Sequence, residues 1–274
     1  MKALSMLFAI PILFVLQSCS LVKIGIAYTE STENFLSHSA DSRVMYEGDA
    51  GVLSNAIATH MDDSIAMVES IHAEKFSAEV KVHICATLEC YEKYTTMKKS
   101  RGATIGDKVF LSPKLLARPK TIKRVLTHEL SHLHLAQKLG GLVLYNNVPS
   151  WFQEGLATFT SGGGGAENVS IVDAVKALKS QVFFTPEVSA SVFQIKNADS
   201  YGFTENYSDP FFAQNMYYRQ SSMFVAYLKR TNTTGFNNLM RQVLRGDRFE
   251  KAFVENYDLS LEDSWYSFIK EIEV

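Results

Sequence analysis

Apolar and polar positions follow two periods along this chain, and the change from one to the other divides it. Leu53, Ile57, Met61, Ile65 and Val68 recur at near-helical intervals, which predicts one amphipathic helix from Val52 to His72. Val80-Lys81-Val82-His83-Ile84 alternates strictly and predicts a strand. Leu88 to Lys98 reads as a short helix. Gly102 to Ser112 then holds two extended runs, Ala103-Thr104-Ile105 and Val109-Phe110-Leu111, around the turn Gly106-Asp107. Pro119 opens a long helical pattern carrying Ile122, Val125, Leu126, Leu130 and Leu133, which the pair Gly140-Gly141 is expected to end.

Beyond that point only the helical period persists. Ser150 and Gln153 have the spacing of a capping box and predict a helix running to about Thr160. Four glycines, Gly162 to Gly165, follow; they suit a linker slightly better than a mobile rim. Further helices are expected over 167–181, 214–231, 235–245, 248–256 and 261–272. The fold class is therefore α+β: a small β-sheet with helices in the first half, then a mostly helical lobe. The expected divisions are a leader at 1–18, a tether and lead-in at 19–50, a mixed lobe at 51–162 and a helical lobe at 163–274.

The leader changes the picture most. Lys2 precedes an almost wholly apolar stretch from Ala3 to Leu16. Its fourteen or so residues would span roughly 21 Å as a helix, short of a bilayer's ~30 Å hydrocarbon core. That length suits a secretory signal, whereas continuing the apolar run through Lys23 to Ile26 would give an uncleaved anchor helix. Leu16-Gln17-Ser18-Cys19 resembles a bacterial lipobox, which implies cleavage before Cys19 and acylation of its thiol. Ser20, in place of an aspartate, implies a destination at the outer membrane facing the periplasm. Export allows Cys85 and Cys90 either to pair or to remain two buried thiols. The composition, 46% hydrophobic and 20% charged with a net charge of -2, supports a globular core and gives no electrostatic case for nucleic acid.

The chemistry is concentrated in the long helix, at His128-Glu129-Leu130-Ser131-His132. Residues four apart on a helix differ by about 40° in direction, so both imidazoles can reach one ion. Neutral imidazole suits Zn²⁺, bound at about 2.0–2.1 Å. Glu129, roughly 100° further round, can act on a water beside that ion without binding it. A third ligand on the same helix is excluded, because Leu135 and Lys138 occupy the positions where one family of zinc enzymes has a glycine and a histidine. His134 lies about 200° from His132 and is expected to be a surface or packed residue.

Downstream stands Trp151-Phe152-Gln153-Glu154-Gly155-Leu156-Ala157. With the HExxH motif some twenty residues earlier, it resembles the gluzincins, the thermolysin- and aminopeptidase-like zinc peptidases, most closely their smaller branch. The resemblance implies a zincin-like fold, one zinc ion held by His128, His132 and Glu154, and Glu129 as general base. It extends to Tyr218-Arg219-Gln220-Ser221 and to the helix containing Trp265, and implies an oxyanion-binding tyrosine, Tyr218 or its neighbour Tyr217. Thr158 departs from the pattern, since thermolysin-type enzymes often place an aspartate there to hold a zinc histidine. The implied activity is peptide hydrolysis, with a peptide or protein as substrate. A zinc amidase acting on cell-wall bonds and a non-enzymatic lipoprotein that binds a partner are the alternatives.

Overall fold

The computed structural model describes residues 27, 29–191 and 196–273. The expected leader cleavage and acylation at Cys19 lie outside the described residues. Among those described, no helix is long and apolar enough to cross a membrane.

Five short strands form one mixed sheet in the order β1 (Leu36–Ser37), β2 (Val44–Tyr46), β3 (Val82–Ile84), β5 (Lys108–Leu111), β4 (Gly102–Ile105). β2, β3 and β5 are parallel, while β1 and β4 run antiparallel to their neighbours and form the two edges. β1 and β2 arise from the stretch expected to be a tether and lead-in. At two and three residues they are too short to show a period of two in sequence.

The sheet's alternation sorts its side chains onto two faces. Val82, Ile84, Val109 and Leu111 join one buried cluster with α1 (Gly51–Ala58), α2 (Met61–His72) and the start of α4 (Ile122–Asn147). His83's ring packs against Phe35 and Phe110 on the opposite face, where Phe110 joins a smaller cluster with Tyr91 and Tyr94 of α3 (Leu88–Thr95). Cys85 follows β3, and its sulfur is bonded to that of Cys90 in α3, with the Cα atoms 5.6 Å apart.

Two expected helices are interrupted. The helix expected over 52–72 is two, α1 and α2, separated at Thr59-His60, where no glycine or proline marks the break. The helix that opens at Ile122 breaks at Gly140, as expected, and the range given for α4 spans that break. Gly140 takes φ 68° and ψ 158°, outside helical geometry, and the chain then turns helical again to Asn147.

The second half builds a separate cluster around Trp151, Phe152, Phe184, Phe224 and Trp265. It is formed by α5 (Ser150–Thr160), α6 (Ile171–Lys179), α7 (Phe203–Asn206), α8 (Pro210–Thr231), α9 (Thr233–Leu244), α10 (Phe249–Asn256) and α11 (Leu261–Glu273). The capping box expected at Ser150 and Gln153 is absent. Pro149 is the N-cap, Ser150 donates its hydroxyl to the Lys196 carbonyl, and Gln153 donates its amide to the Val148 carbonyl. Ser170 and Asp173 form a capping box instead, opening α6 a few residues later than expected.

Candidate metal centre

α4 places His128 and His132 on one face, as a four-residue spacing requires, and α5 crosses it to bring Glu154 opposite. His128 Nε2 and His132 Nε2 lie 3.1 Å apart, and each is 3.4 Å from Glu154 Oε2. Three tetrahedral ligands with bonds of ~2.0–2.2 Å stand roughly 3.3–3.5 Å from one another. The three donors therefore already have the spacing one ion requires, and they form a group able to hold it. The chemistry of the set agrees with the geometry. Glu154 Oε2 is buried with no hydrogen-bond donor of its own, although it faces two imidazole nitrogens. Two nitrogens and one carboxylate suit zinc, so the residues fit the ion.

The electrostatics of the group follow from that crowding. Burial alone would raise the Glu154 carboxyl, but the His132 imidazole and the close approach of His128 hold it far below the usual range. Burial pulls His132 down, and the Glu154 carboxylate beside it more than offsets this, leaving the imidazole above its ordinary value.

Glu129 is buried on the side of α4 facing the edge strand β4. Burial raises its carboxyl above the ordinary range despite the nearby histidines. The Thr104 hydroxyl lies 3.0 Å from Glu129 Oε2 and 2.9 Å from the Glu129 carbonyl, donating to this residue and orienting it. Gly102 permits the approach, since a Cβ there would stand 2.7 Å from Glu129 Cγ and 2.8 Å from Oε1. Sequence pattern marks this strand only as an extended run. No local signal identifies Thr104 or Gly102, because their role depends on how strand and helix pack.

α8 completes the site and separates the two tyrosines. Tyr218 stacks on the His128 ring at 5.9 Å between centroids. Tyr217 is buried in the helical core against Phe184 and Tyr201. Burial, with the Glu154 carboxylate adding to it, keeps the Tyr218 phenol well above its ordinary value, so it remains a hydrogen-bond donor.

The four glycines are not a linker. Gly162, Gly163 and Gly165 all take positive φ, and the turn they make is packed against the site. A Cβ on Gly165 would lie 2.8 Å from His128 Cε1 and 2.9 Å from Tyr218 Cδ2. Arg219 secures the same turn by donating to the Ala166 and Val169 carbonyls. Among the described residues no side chain holds His128 from behind: His128 Nδ1 and Thr158 Oγ1 are both buried without hydrogen-bond partners.

Behind the ligands, a hydrogen-bonded relay ties α4 to α2. His134 Nε2 faces the Glu74 carbonyl at 3.1 Å and must donate to it. His134 Nδ1 is then an acceptor, so His72 Nδ1 donates to it across 3.0 Å. His72 Nε2 in turn accepts from the Ser131 hydroxyl at 2.9 Å. Each tautomer follows from the one before. Burial holds both imidazoles below their ordinary values, and therefore neutral. His134 is thus a packed residue, the second of the two outcomes expected for it.

No protein-family model matches the chain, and no curated protein matches it by sequence. Among solved structures it is similar to yeast LTA4 hydrolase in complex with bestatin, at a TM-score of 0.45 and 17% identity. The match covers 87% of this chain and 37% of that one, so the chain spans well under half the length of that protein.

Proposed function

We propose that this protein is a zinc-dependent peptidase whose ion is held by His128, His132 and Glu154. The convergence of those three donors at 3.1–3.4 Å carries the reading. A bound zinc ion supplies Lewis acidity and lowers the pKa of a coordinated water to about 7. Glu129 accepts the proton of the attacking water and returns it to the leaving amine. Its burial favours this, because a carboxylate whose pKa is raised is a stronger base towards the water proton and stays protonated until the amine takes it. The Thr104 hydroxyl fixes the carboxylate's orientation while the proton moves. Tyr218, kept protonated, donates to the oxyanion that forms at the scissile carbonyl.

β4 supports a peptide as substrate. It is a sheet edge, pairs among the described residues only with β5, and runs beside Glu129, so an extended chain can add to it. Export and attachment through an acylated Cys19 to the periplasmic face of the outer membrane belong to the same proposal, supported by the leader alone.

Glu129→Gln and Glu154→Ala test the reading in the full-length protein. The first is expected to retain zinc while peptide hydrolysis falls by orders of magnitude, and the second to lose zinc by elemental analysis. Undiminished hydrolysis in Glu129→Gln, or full zinc occupancy in Glu154→Ala, would refute the assignment.

A further inference from the structure

The chain's charge is unevenly distributed. From Lys93 to Arg124 it carries ten basic side chains and one acidic, Asp107, although the whole chain has 27 basic and 29 acidic. Part of that excess forms one surface. Lys99 lies over the Phe211 ring, the Lys114 ammonium bonds to the Lys98 carbonyl, and Arg118 donates to Asn168. These contacts bring the loop after α3, the turn of 3₁₀ helix at Pro113–Ala117 and the start of α8 together. Three large apolar side chains of the same segments stand exposed: Met97 at 45%, Leu116 at 49% and Phe211 at 43%. The nearby carboxylates of Glu92 and Glu167 are engaged by Lys98 and Arg101. Among the described residues, Lys99, Lys114, Arg118 and Lys120 form no ion pair.

The N-terminal segment joins the fold at α3, the helix that leads into this surface. Glu30 pairs with Lys93 of α3 at 2.6 Å, its carbonyl accepts from Lys108, and the Ser31 carbonyl accepts from Tyr94. α3 ends at Thr95, and Met97 to Lys99 follow directly. Eight peptide steps separate Ala27 from Cys19, and at ~3.3–3.6 Å each they span at most about 28 Å, whatever their conformation. A domain of this size is on the order of 45 Å across. An anchor at Cys19 would therefore hold the face bearing α3 towards the bilayer, because the tether is too short to let the far side turn inward.

We infer that the surface formed by Met97, Lys99, Lys114, Leu116, Arg118 and Phe211 docks on an anionic phospholipid membrane. The basic groups lie against lipid headgroups, and the three apolar side chains enter the interface. Anionic lipid attracts each basic residue near its surface, an attraction that salt screens. The choice of a membrane over an acidic protein rests on the nearby N-terminal segment and hence on the proposed anchor, but not on the zinc chemistry.

The test places an environment-sensitive fluorophore on Leu116→Cys or, for comparison, on the exposed Val254→Cys in the full-length protein. Intact mass determines separately whether Cys19 is acylated; a chain that is not acylated is labelled in a Cys19→Ser background. Vesicles of phosphatidylcholine with phosphatidylglycerol are expected to brighten and blue-shift the label at 116 by about twofold or more, and phosphatidylcholine alone is not. The label at 254 should respond to neither. Combined Lys99→Glu, Lys114→Glu and Arg118→Glu should abolish the response at 116. Equal signals at 116 on neutral and anionic vesicles would overturn the inference. So would a response to polyglutamate but not to vesicles, which would make the surface a site for acidic protein. A response that survives without acylation would separate this surface from the anchor.

Discussion

Gly155 sets two physical effects against each other. Replacing it with alanine adds a methyl group in the middle of α5, where intrinsic helix preference alone would stabilise the chain by ~0.8–1.0 kcal/mol. The same Cβ would stand 2.8 Å from both the carbonyl carbon and the oxygen of Ser221 in α8. Ordinary contact begins near 3.4 Å, so one helix has to retreat by about 0.6 Å. The obstacle is backbone, which cannot rotate aside, so the cost falls towards the upper part of the ~1–3 kcal/mol typical of overpacking. The net expectation is a loss of up to ~2 kcal/mol, lowering Tm by at most roughly 4–8 °C. Glu154 precedes this position, and a site tolerates only ~0.5 Å of displacement before its geometry degrades. Zinc affinity should therefore fall as well. Thermal melts of the full-length protein in mild detergent, with chelator competition for zinc, measure both. A variant that melts higher than the parent and holds zinc equally well would show that helix preference wins and that the contact between α5 and α8 is not the constraint described here.

Gly102→Ala should behave in the opposite way: the clash falls on the Glu129 side chain, so stability and zinc content should change little while kcat drops at least tenfold; unchanged kcat would refute it. Burial holds the His83 imidazole at about 4, against about 6.5 unfolded, so it contributes stability above pH 6.5 that is lost as pH falls from 6.5 to 4. Over that window His83→Phe should lose less stability than the parent by up to about 3 kcal/mol, judged by denaturant melts at each pH; equal losses would count against the argument. Replacing Cys85 and Cys90 by alanine opens a short loop and should cost ~2 kcal/mol by the loop-entropy relation, read from the same melts; equal stability would refute it.

How far the sequence discloses this arrangement depends on the range of each signal. The histidine pair was legible because helix geometry fixes the directions of residues four apart. β3 was legible because the five residues Val80 to Ile84 alternate, and β5 because a short apolar run follows the turn Gly106-Asp107. Glu154 was reachable only through resemblance, since no periodicity says which carboxylate meets a histidine on another helix. The glycine turn was misread for the same reason. Glycine runs occur in linkers and in tight contacts alike, and only the position of His128 and Tyr218 distinguishes the two. Thr104, Gly102 and the relay through His72 left no trace in local pattern, because each acts across elements distant in sequence. The helix break at Thr59-His60 falls inside an unbroken apolar period, so periodicity alone does not show it.

The hydrogen bonds running from Ser131 through His72 and His134 to Glu74 act as a rotational lock on α4. An imidazole nitrogen on a helix lies about 6 Å from its axis, so turning the helix by 20° would swing that nitrogen through roughly 2 Å, a full coordination-bond length. Three neutral links on the far side of α4 thus govern whether the near side can grip an ion at all. A substitution that never approaches the metal could disarm the site by a small twist.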